Sequence, residues 1–292
     1  MYGHHEQIRQ RRRTGGADVK KRAFNGKFLT ALTFVFLYLP IIILIVFSFN
    51  ASKSRTVWSG FTLGWYGSLL SDSTIISSLQ VTLAVSLLSA VIATLIGTLA
   101  AIGFYNMKKK TREPLLTINN IPVINADIIT GVSLSLLFVS AGALMGFDLG
   151  FGTLLIAHIS FNIPYVILSV MPKLYQLDGN LFEAAQDLGC TWPQTIYKVI
   201  IPEILPGIIN GFIIAFTMSV DDFVISYFTA GSTVQTLSMT IYSMTRRRIS
   251  PEINALSTLL FAVVLILLLI VNVRETRQEK AMRKKEKILK GV

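Results

Sequence analysis

Cysteine is nearly absent from this chain: Cys190 stands alone among 292 residues. A lone thiol excludes an internal disulfide framework and any multi-cysteine metal site. Histidine is scarce as well, and His4, His5 and His158 supply no ligand cluster, so the pattern calls for neither a metal nor a cofactor. No Gly-x-x-x-x-Gly-Lys-Ser/Thr stretch occurs, which leaves the chain without a phosphate-cradling loop. No nucleophile–base pair stands out either, which points away from an enzyme. The shortage that decides the class is charge. Only 15% of residues are charged, against about a quarter in soluble domains. The charges gather at the two ends and in a few short segments, and the runs between them carry almost none.

Those runs are long enough to cross a bilayer, which takes about 20 apolar residues at 1.5 Å rise each. Six are expected: Phe28 to Phe49, Ile75 to Tyr105, Leu115 to Leu144, Leu149 to Val170, Ile204 to Phe228 and Ile253 to Val273. The fold class is therefore all-α, a polytopic membrane protein. The first run is too long for a signal-peptide core and reads as an uncleaved span. The second and third exceed one bilayer thickness and call for tilt or a break; Pro122 falls in the third and Pro164 in the fourth. Residues 1–27 form a basic tail, 28–274 the membrane domain and 275–292 a second basic tail. Asn50-Ala51-Ser52 matches an N-glycosylation pattern.

Basic residues outnumber acidic ones by 27 to 16. The excess flanks apolar runs, which suits anionic lipid headgroups and not nucleic acid. With six spans, 22 basic residues fall on one side and five on the other, and the positive-inside rule places both termini in the cytoplasm. The trio Arg246, Arg247 and Arg248 runs against that rule.

Between the fourth and fifth spans lies a mixed-polarity segment, about 178–202, that reads as two short helices. Asn180 with Glu183 three residues later forms a capping-box pattern, and Gly189 suits the left-handed residue that ends a helix. Thr191, Pro193 and Gln194 then mark a second start, which exits through Pro202 into the fifth span. A pair of helices lying on the membrane surface would satisfy this pattern. Glu183-Ala184-Ala185, Gly189 and Pro202 nevertheless reproduce, in identity and spacing, the cytoplasmic signature of bacterial ATP-binding-cassette import permeases; Val199 and Ile201 stand where that signature has Ile and Leu. The chain resembles that family. The resemblance implies that this segment docks on a separate ATPase, with Glu183 capping its helix or pairing with a basic partner group and small Ala184 and Ala185 allowing close approach.

Three carboxylates fall inside the runs: Asp127, Asp221 and Asp222. A carboxylate at the centre of a span costs at least about 2.5 kcal/mol, and no Lys or Arg within the spans neutralises these three. Counting helix rise from the cytoplasmic ends brings them to similar depth in the outer half of the bilayer. They suit a water-filled path and a substrate with several ammonium groups; pairing with a neighbouring subunit or a polar helix end is the alternative, most of all for Asp222. Trp65 and Tyr66 fit an interfacial anchor, and Trp65 also fits a cation–π contact. His158 reads as a hydrogen-bonded packing residue.

Tyr38-Leu39-Pro40-Ile41-Ile42, Gly64-Trp65-Tyr66, Asp127-Ile128, Ser219-Val220-Asp221-Asp222 and Ser250-Pro251-Glu252-Ile253-Asn254-Ala255-Leu256 resemble the second permease of spermidine/putrescine importers. That likeness covers about Tyr38 to Val273. It implies the MetI-like architecture of type I importers in the bacterial cytoplasmic membrane, with polyamine substrates. It also implies a sister permease, two ATP-binding subunits and an extracytoplasmic binding protein as partners, and a substrate path through Asp127, Ser219, Asp221, Asp222, Trp65 and Tyr66. Iron, sulfate and molybdate permeases share the architecture, and a proton-coupled carrier is the rival of another class.

Overall fold

A computed structural model describes residues 29–52, 57–247 and 251–289. The N-terminal tail and Arg248 lie outside the described residues. Among those described, the secondary structure is helical, with one isolated bridge between Asn50 and Phe61. Helices α1 (Leu29–Phe47), α3 (Ser73–Asn106), α5 (Asp127–Met145), α6 (Phe151–Tyr175), the continuous stretch Trp192–Asp221 and the start of α12 (Pro251–Leu289) are long and apolar enough to cross a membrane. Six spans were legible in the sequence, and six are found. Shorter helices connect them: α2 (Gly64–Ser71), α4 (Lys109–Ile124), α7 (Leu181–Asp187), α8 (Trp192–Thr195), α10 (Val224–Thr229) and α11 (Leu237–Arg247), with α9 covering Ile201–Asp221.

The chain divides into two compact units, residues 1–65 with 250–258, and residues 66–249 with 259–292. In the first, the side chain of Asn50 organises the turn after α1. Its amide donates to Val57 O at 2.9 Å, its Oδ1 accepts from Ser59 N at 3.0 Å, and its own carbonyl accepts the Trp65 indole N–H at 2.8 Å. Asn50 is fully buried, so the glycosylation pattern read in the sequence is closed to modification in the folded protein.

In the second unit α3, α6 and α9 pack together as the core. Asp72 starts α3 by accepting from Thr74 N and Ile75 N. The buried face of α3 then runs through Ser78, Thr82, Ser86, Ser89, Ala90, Ala93, Gly97, Thr98 and Ala101. Small residues at this spacing let helix backbones approach closely, which drives association where lipid removes the hydrophobic force. Val166, Ile167, Val170 and Leu174 of α6 and Ile200, Ile204 and Ala215 on the α9 side fill the interface. The large apolar side chains Leu95, Leu99, Leu136 and Leu137 point outward, as a lipid-facing surface requires.

Two spans are broken. The third run divides at Asn125 and Ala126, both extended, into α4 and α5. The fifth run stops at Asp221, turns through extended Asp222 and resumes as α10.

A Cβ built on Gly97 would lie 2.8 Å from Val166 Cβ and Cγ1, closer than packing allows. Gly97→Val is expected to lower the thermal midpoint of the purified chain in detergent, at a cost of about 1–3 kcal/mol from overpacking. Gly103→Ala, which meets no neighbouring atom, is expected to raise it by about 0.5–1 kcal/mol. Equal midpoints for the two variants would refute the close approach.

Candidate functional site

The carboxylates named from the sequence converge. Asp127, Asp221 and Asp222 all line one cavity of about 230 Å³, together with Thr130, Tyr165 and Phe161. The route differs from the one anticipated. Counting straight helix from Glu113 to Asp127 is wrong, because α4 ends at Ile124 and Asp127 is the first residue of a new helix. A helix N-terminus favours a negative side chain, so α5 itself helps hold Asp127. Asp221 closes α9, and Asp222 follows it at the break.

The three are not equivalent. Asp222 is turned inward: Oδ1 accepts from Ile225 N at 3.2 Å and Oδ2 from Ser226 N at 2.7 Å, which satisfies two donors of the first turn of α10. Its Oδ2 also lies 3.5 Å from His158 Nε2. Asp127 and Asp221 are exposed toward the cavity. Among the described residues neither has a Lys or Arg within ion-pair distance.

Ser219 does not line the cavity. It is buried and joins a chain of polar contacts through the core, with His158 Nδ1 at 2.6 Å and Ser89 Oγ at 3.2 Å. His158 Nε2 meets Ser226 Oγ at 3.0 Å. One imidazole therefore clasps both sides of the break, the last turn of α9 through Ser219 and the first turn of α10 through Ser226. The packing role expected for His158 holds, with this bridging function added. A ring with both nitrogens engaged is fixed in orientation.

Trp65 and Tyr66 are likewise not among the cavity-lining residues. The Trp65 indole N–H is engaged by Asn50. Sequence reasoning missed Thr130 and Tyr165 of the cavity wall; both are uncharged, Thr130 three residues after Asp127 and Tyr165 on α6.

At the other end of α9 the segment 178–202 forms the expected helix pair. Gly189 has φ +84°, which an L-residue with a side chain adopts only at a cost. The turn is a Schellman cap: Cys190 N–H bonds to Ala185 O at 3.1 Å and Gly189 N–H to Gln186 O at 2.8 Å. Cys190 thus has a backbone role. The Asn180–Glu183 capping box does not form. Asn180 makes no side-chain cap bond, and Asp178 Oδ1 instead accepts from Asn180 N at 3.0 Å. The second box is present, with Gln194 Oε1 accepting from Thr191 N at 3.0 Å. Ala185 is buried against the chain itself, while Glu183 and Ala184 are exposed. Just before Pro202 the helix widens by one turn, Ile196–Ile200, where Ile201 N–H reaches back to Ile196 O. Proline has no N–H to give the preceding turn, and a wide turn accommodates that loss. Leu188, Trp192 and Tyr197 stand out here with 86%, 54% and 74% exposure. The sequence reading did not single them out, since apolar residues in a helical segment are ordinarily taken as packed.

Residues 93–284 match the family described as binding-protein-dependent transport system inner membrane component. The chain is 37% identical over 248 residues to the spermidine/putrescine transport system permease protein PotC of Escherichia coli (strain K12), covering 85% of this chain and 92% of that one. It is 38% identical over 236 residues to the putrescine transport system permease protein PotI of the same strain, covering 80% and 84%. A chain in the crystal structure of a bacterial ABC transporter involved in the import of the acidic polysaccharide alginate superposes with a TM-score of 0.67, at 19% identity, covering 89% of this chain and 98% of that one. At that identity the superposition speaks for the fold alone. Six membrane helices, the cytoplasmic signature on its helix pair and these relatives agree: the chain belongs to the family of binding-protein-dependent ABC importer permeases and is the membrane-embedded permease subunit of such an importer.

Proposed function

We propose that this subunit passes polyamines, with spermidine and putrescine as the substrate class, through a path that includes Asp127, Asp221 and Asp222. The observation that carries the reading is the convergence of these carboxylates on one cavity at two helix breaks. Irregular backbone at membrane depth is tolerated where it lines a water-filled space. A cavity with exposed carboxylates and no cation among its lining residues attracts a polycation and repels sulfate or molybdate. The relatives whose names specify spermidine and putrescine support the same class. Ser219 and His158 serve here as positioning residues that hold the end of α9. Trp65 and Tyr66 act as interfacial anchors, with the Trp65 ring face as the part an ammonium would use.

In this reading the segment 178–202 faces the cytoplasm, as do both termini, and it couples to two ATP-binding subunits. Glu183, Ala184, Leu188 and Trp192 form the docking face, and Ala185, Gly189 and Pro202 give it shape. A sister permease completes the path, and an extracytoplasmic binding protein delivers the substrate. ATP-driven closure then alternates access between the two sides; differential contacts in the two states supply the coupling.

Asp221→Asn is expected to reduce ATP-dependent uptake of labelled spermidine by the reconstituted complex by about tenfold or more, with subunit assembly intact; loss of one charge-assisted contact of about 1.5–3 kcal/mol sets this scale. Uptake that stays at the wild-type level with limiting substrate, or that is blocked equally by ferric iron, would overturn the assignment. Gly189→Arg is expected to abolish substrate-stimulated ATP hydrolysis or to release the ATPase, because a side chain at φ +84° strains the turn and protrudes beside the docking face. Normal stimulated hydrolysis in that variant would remove the coupling role.

A further inference from the structure

The basic trio on the side that carries few positive charges is left unexplained by orientation and by the carboxylate site. Arg246 gives it a role. Its guanidinium carbon lies 5.0 Å from the centre of the Tyr242 ring. The two residues border a second cavity, about 280 Å³, with Tyr227 and Met239 among its walls. Tyr227 and Tyr242 stand edge to face at 6.2 Å. Phe223 packs on both, at 5.5 and 4.5 Å between ring centres. Phe223 also lines the carboxylate cavity and directly follows Asp222 in the chain. A cluster of three aromatic rings therefore adjoins the acidic cavity, and one ring borders it.

Aromatic faces attract cations, most strongly where water is partly excluded. No carboxylate lines the second cavity, and among the described residues none forms an ion pair with Arg246. The guanidinium is held there by the ring. Arg246 is exposed and lies one residue from the end of α11, so little else fixes it. A cation held by one weak contact is displaced by another cation of similar affinity that gains a second anchor nearby.

We propose that the Phe223–Tyr227–Tyr242 cluster is an outer seat for one ammonium group of a polyammonium substrate, and that Arg246 is its resident cation, displaced when substrate arrives. The inference rests on the carboxylate reading above, because the next ammonium along the chain is taken by Asp221 or Asp127. Met239 offers the methylene segment an apolar wall. Arg246 thereby competes with substrate, and it favours chains with several charges over single ammonium ions: only the former recover at the carboxylates what displacement costs. A substrate tethered at the seat meets the second site at high effective concentration.

The test is equilibrium binding of radiolabelled spermidine to the full permease complex in nanodiscs, without nucleotide or binding protein. Arg246→Gln is expected to tighten binding by about three- to tenfold, the scale of one cation–π contact. Tyr242→Leu is expected to weaken it, and Tyr242→Phe, which keeps the ring, to retain it. In the double variant Arg246→Gln with Tyr242→Leu, the tightening should vanish. Unchanged or weaker binding by Arg246→Gln overturns the proposal, as does tightening that persists without the Tyr242 ring, since that would be general charge relief. Arg246 is exposed, so this arm is readable even if Tyr242→Leu fails to assemble. If Asp221→Asn abolishes binding while the Arg246 and Tyr242 variants match wild type, the carboxylate site stands and the outer seat falls. If the wild-type complex binds no spermidine at saturating concentration, both fall together.

Discussion

A helix that breaks inside a membrane leaves backbone N–H and C=O groups with no water to satisfy them, and each one left unpaired costs about 1–3 kcal/mol. The arrangement of the candidate site follows from how this chain meets that constraint at Asp222. The carboxylate of Asp222 takes the N–H groups of Ile225 and Ser226, two of the donors that the start of α10 would otherwise leave without an acceptor. His158 holds Ser226 on one side and Ser219 on the other. Ser219 in turn meets Ser89 of α3. The break is thus fastened to all three core helices through side chains that are buried and mutually bonded. Two adjacent aspartates acquire different roles from this one fact: Asp222 completes the backbone, and Asp221 is turned toward the cavity.

The same constraint separates what the sequence disclosed from what it did not. Span number was legible because hydrocarbon thickness sets a minimum apolar length, and six runs met it. The excess length of the third run called for tilt or a break, and a break is what the structure has; its place was not read, although Pro122 followed by Asn125-Ala126-Asp127 marks it, a polar interruption with an acid placed to begin a helix. The glycine cap at Gly189 was legible since only one residue type suits its φ. The Asn180 box was read and does not form, because Asp178 reaches the same turn first and Asn180 is drawn into a helical conformation. The Ser89–Ser219–His158–Ser226 chain was beyond reach of any local pattern: Ser89 and Ser219 lie 130 residues apart, and a serine in an apolar run looks the same whether it faces lipid or a partner.

The acidic cavity and the helix pair of residues 178–202 lie at opposite ends of one continuous element. Trp192–Asp221 is 30 residues of helix, about 45 Å at 1.5 Å per residue, against a hydrocarbon core of about 30 Å. A rod of that length carries a tilt at its foot to its tip. The wide turn at Ile196–Ile200 sits near the foot, just before Pro202, and its Ile200 is packed in the same core cluster as Val170 and Leu174 of α6. Ala185 fits the same scheme. Buried against the chain, it fixes the short helix to the body, so in the proposed coupling a push on exposed Leu188 and Trp192 is passed on and not absorbed by a loose knob.

In the proposed path, release of a polyammonium substrate needs no separate device. Asp127 opens α5 and Asp221 closes α9, so the two exposed carboxylates belong to different helices and part when those helices shift. An ammonium 4 Å from a carboxylate gains about 4 kcal/mol at an effective dielectric of 20, and about half of that at 8 Å. A shift of a few ångströms at one carboxylate therefore weakens binding by about 2 kcal/mol, some thirtyfold in affinity. Had both acids stood on one helix, they would travel together and hold the cation equally in every state, and a ligand with equal affinity for two states shifts neither. If the two acids hold the substrate as proposed, their placing at the ends of separate broken helices is what makes binding depend on conformation, and that dependence is what a transporter requires.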